Sequence, residues 1–321
     1  MDYLNKAEEI LNDTTWWAVS PNEKQRDKAI DLLNSAVIEF KLEKEYEKAG
    51  DTLKKIALLQ YNNDYGKYNL AITYAKAGHM YEFVDMKKAM GCYLYVIPLY
   101  EDLGKVAMAV ELSEKVADYY YDDGNFIEAL KYYEMVNKYT NTNYNKNHCD
   151  NTYNINHCDI NNTYNKNHCD TNNTYNINHC NTNNTYNINH CNVNNINLKL
   201  TLKLYDLYIR LHLFNKAVKI LDVIIHYYVQ MKQDPSLFLF DLGILRIYAN
   251  DLSICDRYVD KYGKYNYFST SVEYKTICNL ITYVKDNDKI AFITTQNNYH
   301  NTYTLKPWHV GLLDQVHLRM E

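Results

Sequence analysis

The chain has 321 residues, 47% of them hydrophobic, and a formal net charge of −5. That apolar content suffices for one extended core or two ordinary domains, and the mildly acidic balance excludes general nucleic-acid binding. With 9 glycines and 4 prolines the composition suits helices, and the 34 tyrosines against 8 phenylalanines read as the residue usage of an A/T-rich coding sequence.

The first residues, MDYLNKAEEI, are charged and lack the apolar core of a signal peptide. The longest uncharged apolar run, 91–100, is about half of the roughly 20 residues a membrane span needs. A cytoplasmic setting is therefore expected. There the 8 cysteines stay reduced and form no disulfide framework, and the sequons at Asn161, Asn172 and Asn183 are inert.

Apolar residues at helical spacing predict helices over 2–12, 26–40, 44–60, 66–78, 82–103, 105–121 and 125–139. A second series is predicted over 198–212, 215–230, 237–250, 253–262, 271–286, 289–296 and 305–320. No strand alternation competes with them. Between the first two helices, Trp16, Trp17 and Val19 precede Pro21 in a loop at 14–21. Adjacent tryptophans cannot share one helical stripe. They suit a membrane interface, where an apolar ring and a hydrated N–H are both accommodated. The alternative is a plug at the open end of a repeat array.

Residues 104–136 carry the clearest repeat signal. Val106, Ala109, Val110, Ser113, Val116, Ala117 and Tyr120 recur at helical spacing, then Phe126, Ala129, Leu130, Tyr133 and Val136. Asp122-Asp123-Gly124 forms the turn and Asn125 caps the second helix. One hairpin cannot bury its apolar faces alone, so neighbours must stack on it. The expected fold is all-α: a right-handed tetratricopeptide-like α-solenoid of helical hairpins, with a C-terminal helical bundle.

The interval 141–197 differs in kind. Its Asn-rich repeats carry His-Cys pairs at 148–149, 157–158, 168–169, 179–180 and 190–191. With low apolar content and no helical period, it is expected to be a long disordered insertion grown by duplication. Five histidines and five cysteines invite a metal reading, but structural zinc sites use ligand spacings of about two to four residues, not pairs eleven apart. No metal or other cofactor is expected. The expected domains are thus 1–140, 141–197 and 198–321. No phosphate-cradling glycine loop, G-x-S-x-G or H-E-x-x-H occurs. Cys92, Cys255 and Cys278 lie in apolar helical contexts and read as core residues. His79, His212 and His226 read as isolated, and no enzyme is expected.

A resemblance emerges from the ordered series. A-E-E-I-L from Ala7, an aromatic loop, then A-V-I-E-F-K-L-E-K-E-Y-E-K-A-G ending at Gly50 resemble the start of the soluble NSF attachment protein family. So do Y-N-L-A-I-T-Y-A-K-A-G ending at Gly78, E-A-L-K-Y-Y from Glu128, and L-K-P-W-H-V-G-L-L from Leu305. The resemblance covers nearly all of the chain outside the insertion, which falls where the family has a short polar linker. It implies a non-catalytic adaptor that binds the four-helix SNARE bundle and recruits the NSF ATPase, which pulls the bundle apart after membrane fusion. It also implies a cytoplasmic protein held peripherally at membranes, with Trp16, Trp17 and Val19 in the membrane loop. Lys105, Lys199 and Lys203 match the SNARE-binding face, while Glu111 stands where the family has a lysine. Asp251, Asp286, Asp288 and the apolar Met320 match the ATPase-contacting end, although Thr282 and Lys285 replace carboxylates there. The alternative is a helical-repeat scaffold that keeps the fold without the disassembly role.

Overall fold

The same backbone turn closes helix after helix. The N–H of Glu45 donates to the carbonyl of Phe40, and Lys105, Asn125, Leu213, Gln233 and Asp288 donate in the same way to Tyr100, Tyr120, Tyr208, Tyr228 and Tyr283. Each bond spans a residue at positive φ: Lys44, Gly104, Gly124, His212, Lys232 and Asn287 respectively. This is the Schellman closure, in which a left-handed residue lets the chain reverse and satisfy an orphan carbonyl. An aromatic residue supplies that carbonyl in all six.

The computed structural model describes residues 2–12, 23–61, 66–149, 176–178, 187–189 and 196–320. It divides into two compact units, Met1–Asn147 and His148–Glu321. The first contains α1 (Asp2–Asn12), α2 (Glu23–Leu42), α3 (Tyr46–Gln60), α4 (Gly66–Tyr81), α5 (Met86–Asp102), α6 (Val106–Asp122) and α7 (Phe126–Cys149), the last crossing the boundary by two residues. From α1 to α6 each helix packs on the next, the nearest-neighbour pattern of a tetratricopeptide-like solenoid. Tyr120 against Tyr132 and Tyr133 bonded to Asp118 add α7.

Small residues set the spacing of these helices, and tyrosines fasten them. A methyl group on Gly50 would sit 2.8 Å from the Tyr81 ring, and one on Gly78 would sit 2.4 Å from Tyr93. Both glycines therefore make room for a ring from the following helix. The next residue then bonds that ring's hydroxyl: Tyr81 donates to Asp51 at 2.5 Å, and the Tyr93 oxygen lies 2.8 Å from His79 Nδ1. Ala117-Asp118 repeats the arrangement for Tyr133. In the second unit Tyr205 donates to Asp241 at 2.6 Å and Tyr262 to Asp222 at 3.0 Å. The tyrosine excess thus has a structural use that composition alone conceals: buried rings fill the gaps and their hydroxyls link one helix to the next. Burial, followed by these carboxylates, raises the Tyr81, Tyr133 and Tyr205 hydroxyl pKa values.

The second unit contains α8 (Leu198–Arg210), α9 (Phe214–Gln230), α10 (Ser236–Tyr248), α11 (Leu252–Tyr262), α12 (Asn266–Ser269), α13 (Val272–Asp286), α14 (Lys289–Tyr303) and α15 (Pro307–Arg319). It opens as a hairpin and ends as a bundle. Helix α10 touches α9, α11, α12, α13 and α15, and nine of its thirteen residues are buried. SLFLFDLGILRIY is apolar almost all round, as a helix enclosed on every side must be.

Helix α7 continues to Cys149, ten residues beyond the predicted end at 139 and into the Asn-rich repeats. Two Asn-Ile-Asn units of those repeats, β1 (Asn176–Asn178) and β2 (Asn187–Asn189), pair antiparallel with Ile177 opposite Ile188. Residues 150–175, 179–186 and 190–195 of the insertion, expected to be disordered, lie outside the described residues.

Candidate interaction surfaces

Lys105 occupies the N-cap of α6 and is exposed, with its ammonium 5.3 Å from the Tyr68 ring of α4. It makes no side-chain cap bond. A lysine there faces the positive end of the helix dipole and forgoes a cap, each unfavourable by about 0.5–1 kcal/mol. Lys199 is exposed in the first turn of α8, also at a positive helix end. The local cap there comes from Asn197, whose side chain accepts the Leu200 N–H at 3.1 Å. Lys203, half-buried, follows one turn later on the same face of α8. Lys105 lies in the first unit and the α8 pair in the second. Helix stability explains neither Lys105 nor Lys199.

Glu111 is exposed on α6. Its charge follows burial and the Tyr68 neighbour in pushing the Tyr100 hydroxyl up to about 12. One turn further on, Lys115 donates to Glu82 at 2.7 Å, and Tyr93 donates to the same oxygen at 2.6 Å. Burial alone would raise the Glu82 pKa, but these bonds hold it below the usual carboxylate range. His79 joins this cluster through Tyr93, so it is not the isolated residue the sequence suggests.

The expected acidic contacts divide by local role. Asp251 caps α11, accepting the Ile254 N–H at 3.1 Å and the Ser253 hydroxyl at 2.7 Å. The hydroxyl, then the N–H, holds its carboxyl below its ordinary value. Asp288 caps α14 through the Ala291 N–H at 3.0 Å. Asp286 ends α13 exposed, where the helix dipole disfavours an anion. Lys285 beside it is ion-paired with Asp256. Asn250 and Asn287, next to these aspartates, line one depression of about 190 Å³ with Val284, Val316, Arg319 and Met320. Met320 is buried on its own fold, so engaging a partner's pocket would require it to leave that seat. Trp16, Trp17 and Val19 lie outside the described residues.

The most enclosed carboxylate among the described residues was missed by sequence reasoning. Asp241, 1% exposed on α10, accepts from Tyr205 at 2.6 Å, Lys306 Nζ at 2.6 Å and His309 Nε2 at 2.8 Å. The Lys306 backbone N–H donates to His309 Nδ1 at 3.3 Å, so that nitrogen is an acceptor and the imidazole is neutral with its proton on Nε2. Burial lowers the His309 pKa against the pull of Asp241. Burial alone would raise Asp241, but the His309 bond and the Lys306 charge outweigh it and hold the carboxyl down. The cluster fastens α8, α10 and α15 and presents no open nucleophile. A lone carboxylate in the apolar run Ser236–Tyr248 was the available signal.

The three cysteines outside the repeats are core-like, as expected: Cys92 and Cys255 are buried, Cys278 is half-buried, and burial pushes each thiol up, Cys255 to about 11. Among the described residues no cluster of three or more metal-binding side chains occurs, and no helix is long and apolar enough to cross a membrane.

Comparison with known proteins gives the solenoid its family. The model of the soluble NSF attachment protein, SNAP, matches residues 1–167 and 157–321. The chain belongs to the soluble NSF attachment protein family. Among SNAP relatives, the alpha-soluble NSF attachment protein of Vitis vinifera is 32% identical over 108 residues, 34% of this chain and 37% of the relative. The soluble NSF attachment protein homolog FPV033 of Fowlpox virus (strain NVSL) is 29% identical over 140 residues, 42% and 49% of the two chains. The chain spans less than half the length of these curated relatives. A tetratricopeptide repeat protein from Parabacteroides merdae ATCC 43184 aligns over 90% of this SNAP-family chain and 99% of its own, at 10% identity and a TM-score of 0.30, too low to add to the fold described above. The repeat insertion contains the overlap of the two matched segments and begins within α7 of the SNAP solenoid.

Proposed function

We propose that this SNAP-family chain is a non-catalytic adaptor that binds assembled SNARE bundles and recruits an NSF-type ATPase for their disassembly in vesicle transport. The observation that carries the reading is the placement of Lys105 and Lys199 at helix N-termini, where a cation lowers local stability. A cation kept where the helix disfavours it is explained by an acidic partner, which the bundle supplies and to which lysines steer through long-range charge. Lys105→Asp separates the two effects. A capping carboxylate raises the melting temperature by about 2–4 °C, corresponding to roughly 1 kcal/mol, while weakening retention on an immobilised SNARE bundle. Unchanged retention would remove Lys105 from the binding face.

At the other end, Asp251, Asp286, Asp288 and Met320 are assigned to the ATPase contact, with Asp286 the one whose position helix stability does not explain. Trp16, Trp17 and Val19 are assigned to lipid contact, which places the protein peripherally on cytoplasmic membrane surfaces. Replacing both tryptophans with serine is expected to reduce co-flotation with liposomes and leave the melting temperature nearly unchanged. A large fall in melting temperature would favour the plug. A second reading, a scaffold without disassembly activity, is favoured by the exposed Glu111 and by the pairing of Lys285 with Asp256.

A further inference from the structure

An open cavity of about 480 Å³ lies within the second unit, between α9 and the C-terminal half of α10. Its polar lining holds two cations, Arg246 and Lys219, beside His212, Asn215 and one carboxylate, Asp222. That carboxylate is already engaged by the Tyr262 hydroxyl at 3.0 Å. Arg246 is half-buried and makes no hydrogen bond or ion pair among the described residues. Its guanidinium lines the open cavity, where a bound anion can accept from it. The same cavity receives the start of the seventeen-residue α9, whose N-cap Leu213 supplies no side-chain acceptor. The N–H groups of Phe214 and Asn215 have no acceptor among the described residues. Its apolar wall is aromatic and aliphatic: the Phe214 ring meets Tyr248 edge-on at 5.4 Å, and Val218 and Leu245 complete it. The Arg319 guanidinium, 4.6 Å from the Tyr248 ring, holds that ring from outside.

We propose that this cavity binds a phosphoryl group carried on a compact apolar body. A phosphoryl group, with three oxygens against the two of a carboxylate, can meet Arg246, the α9 N-terminus and the ammonium of Lys219, which also has a partner within the protein. The volume is that of an ordinary small-molecule site. The ligand is a soluble organic phosphate or the headgroup of a phosphate lipid, which share this chemistry.

The test titrates the full chain calorimetrically with phenyl phosphate, benzoate and inorganic phosphate, and separately with phosphatidylcholine vesicles with and without phosphatidic acid. Saturable binding of phenyl phosphate is expected, tighter than benzoate or inorganic phosphate. Arg246→Gln should weaken it about tenfold or more, Arg246→Lys less, and Lys264→Gln, remote in sequence from the cavity lining, under about twofold. Melting curves confirm that each variant is folded, and the Arg246→Lys comparison stands if Arg246→Gln does not fold. Arg246-dependent binding to phosphatidic acid vesicles without phenyl phosphate binding would assign the site to a lipid headgroup, and the converse to a soluble phosphate. Benzoate binding as tightly as phenyl phosphate, no saturable binding to either source, or affinity unchanged in Arg246→Gln would overturn the proposal.

Discussion

Asp241→Ala is expected to lower the melting temperature of the second unit by about 10 °C. The substitution leaves the Tyr205 hydroxyl and the His309 N–H buried without their acceptor, while Lys306, about half exposed, can turn to water. Removing one partner of a buried charged cluster costs about 3–5 kcal/mol, and a unit of this size loses roughly 2–4 °C per kcal/mol. The same cluster makes the unit acid-sensitive. His309 is held neutral with its pKa below the ordinary 6.5, so its contribution is complete above that value and is lost as pH falls through its folded pKa. Asp241 is held below its ordinary 3.8, so its contribution persists to lower pH and is lost as pH falls through that lowered value. Thermal melts at pH 7.5 and 5.5 should show a loss for the natural chain and a smaller one for His309→Gln. Equal losses in both would remove His309 from the acid response.

Reversing Lys199 and Lys203 together to glutamate is expected to weaken binding to a SNARE bundle by about 10–100-fold at moderate salt. Two reversed charges on one face of α8 convert attraction to an acidic surface into repulsion, and the deficit shrinks as salt screens it. Unfolding is not expected to account for the loss. A glutamate at position 199 lies in the first turn of α8, where the helix dipole favours an anion, so helix stability holds or rises. Circular dichroism alongside the binding curve checks this. Affinity equal to that of the natural chain would exclude α8 from the interface.

The helical series was legible because most helices show one apolar stripe, and α1 and the end of α13 fall where the spacing predicts. The misses have tertiary causes. The sequence ends α14 near 296, because Asn-Asn-Tyr-His-Asn-Thr-Tyr favours no helix. In the fold Tyr299 stacks on Phe240 at 4.7 Å and carries the helix to Tyr303. The predicted start of α5 at 82 gives way to a turn, since Asp85 accepts the Lys88 N–H and sets the start at Met86. The Asp241 cluster joins residues 65 and 68 positions apart, a separation that spacing arguments do not reach. Lys105 and Lys199 could be chosen from sequence, but their unfavourable position at helix ends became visible only once those ends were placed. The role of Asp251 and Asp288 as caps likewise depends on where α11 and α14 begin.

Coupling of SNARE bundles to an ATPase is the activity proposed for this chain. Its most direct measurement is the ATP-dependent release of fluorescently labelled SNAREs from a preassembled bundle by an NSF-type ATPase, with and without the chain. Release that requires both ATP and the chain, and that falls with Lys199→Glu/Lys203→Glu, is the predicted result. A bundle that neither retains the chain nor comes apart in its presence would contradict the adaptor reading and leave a helical scaffold.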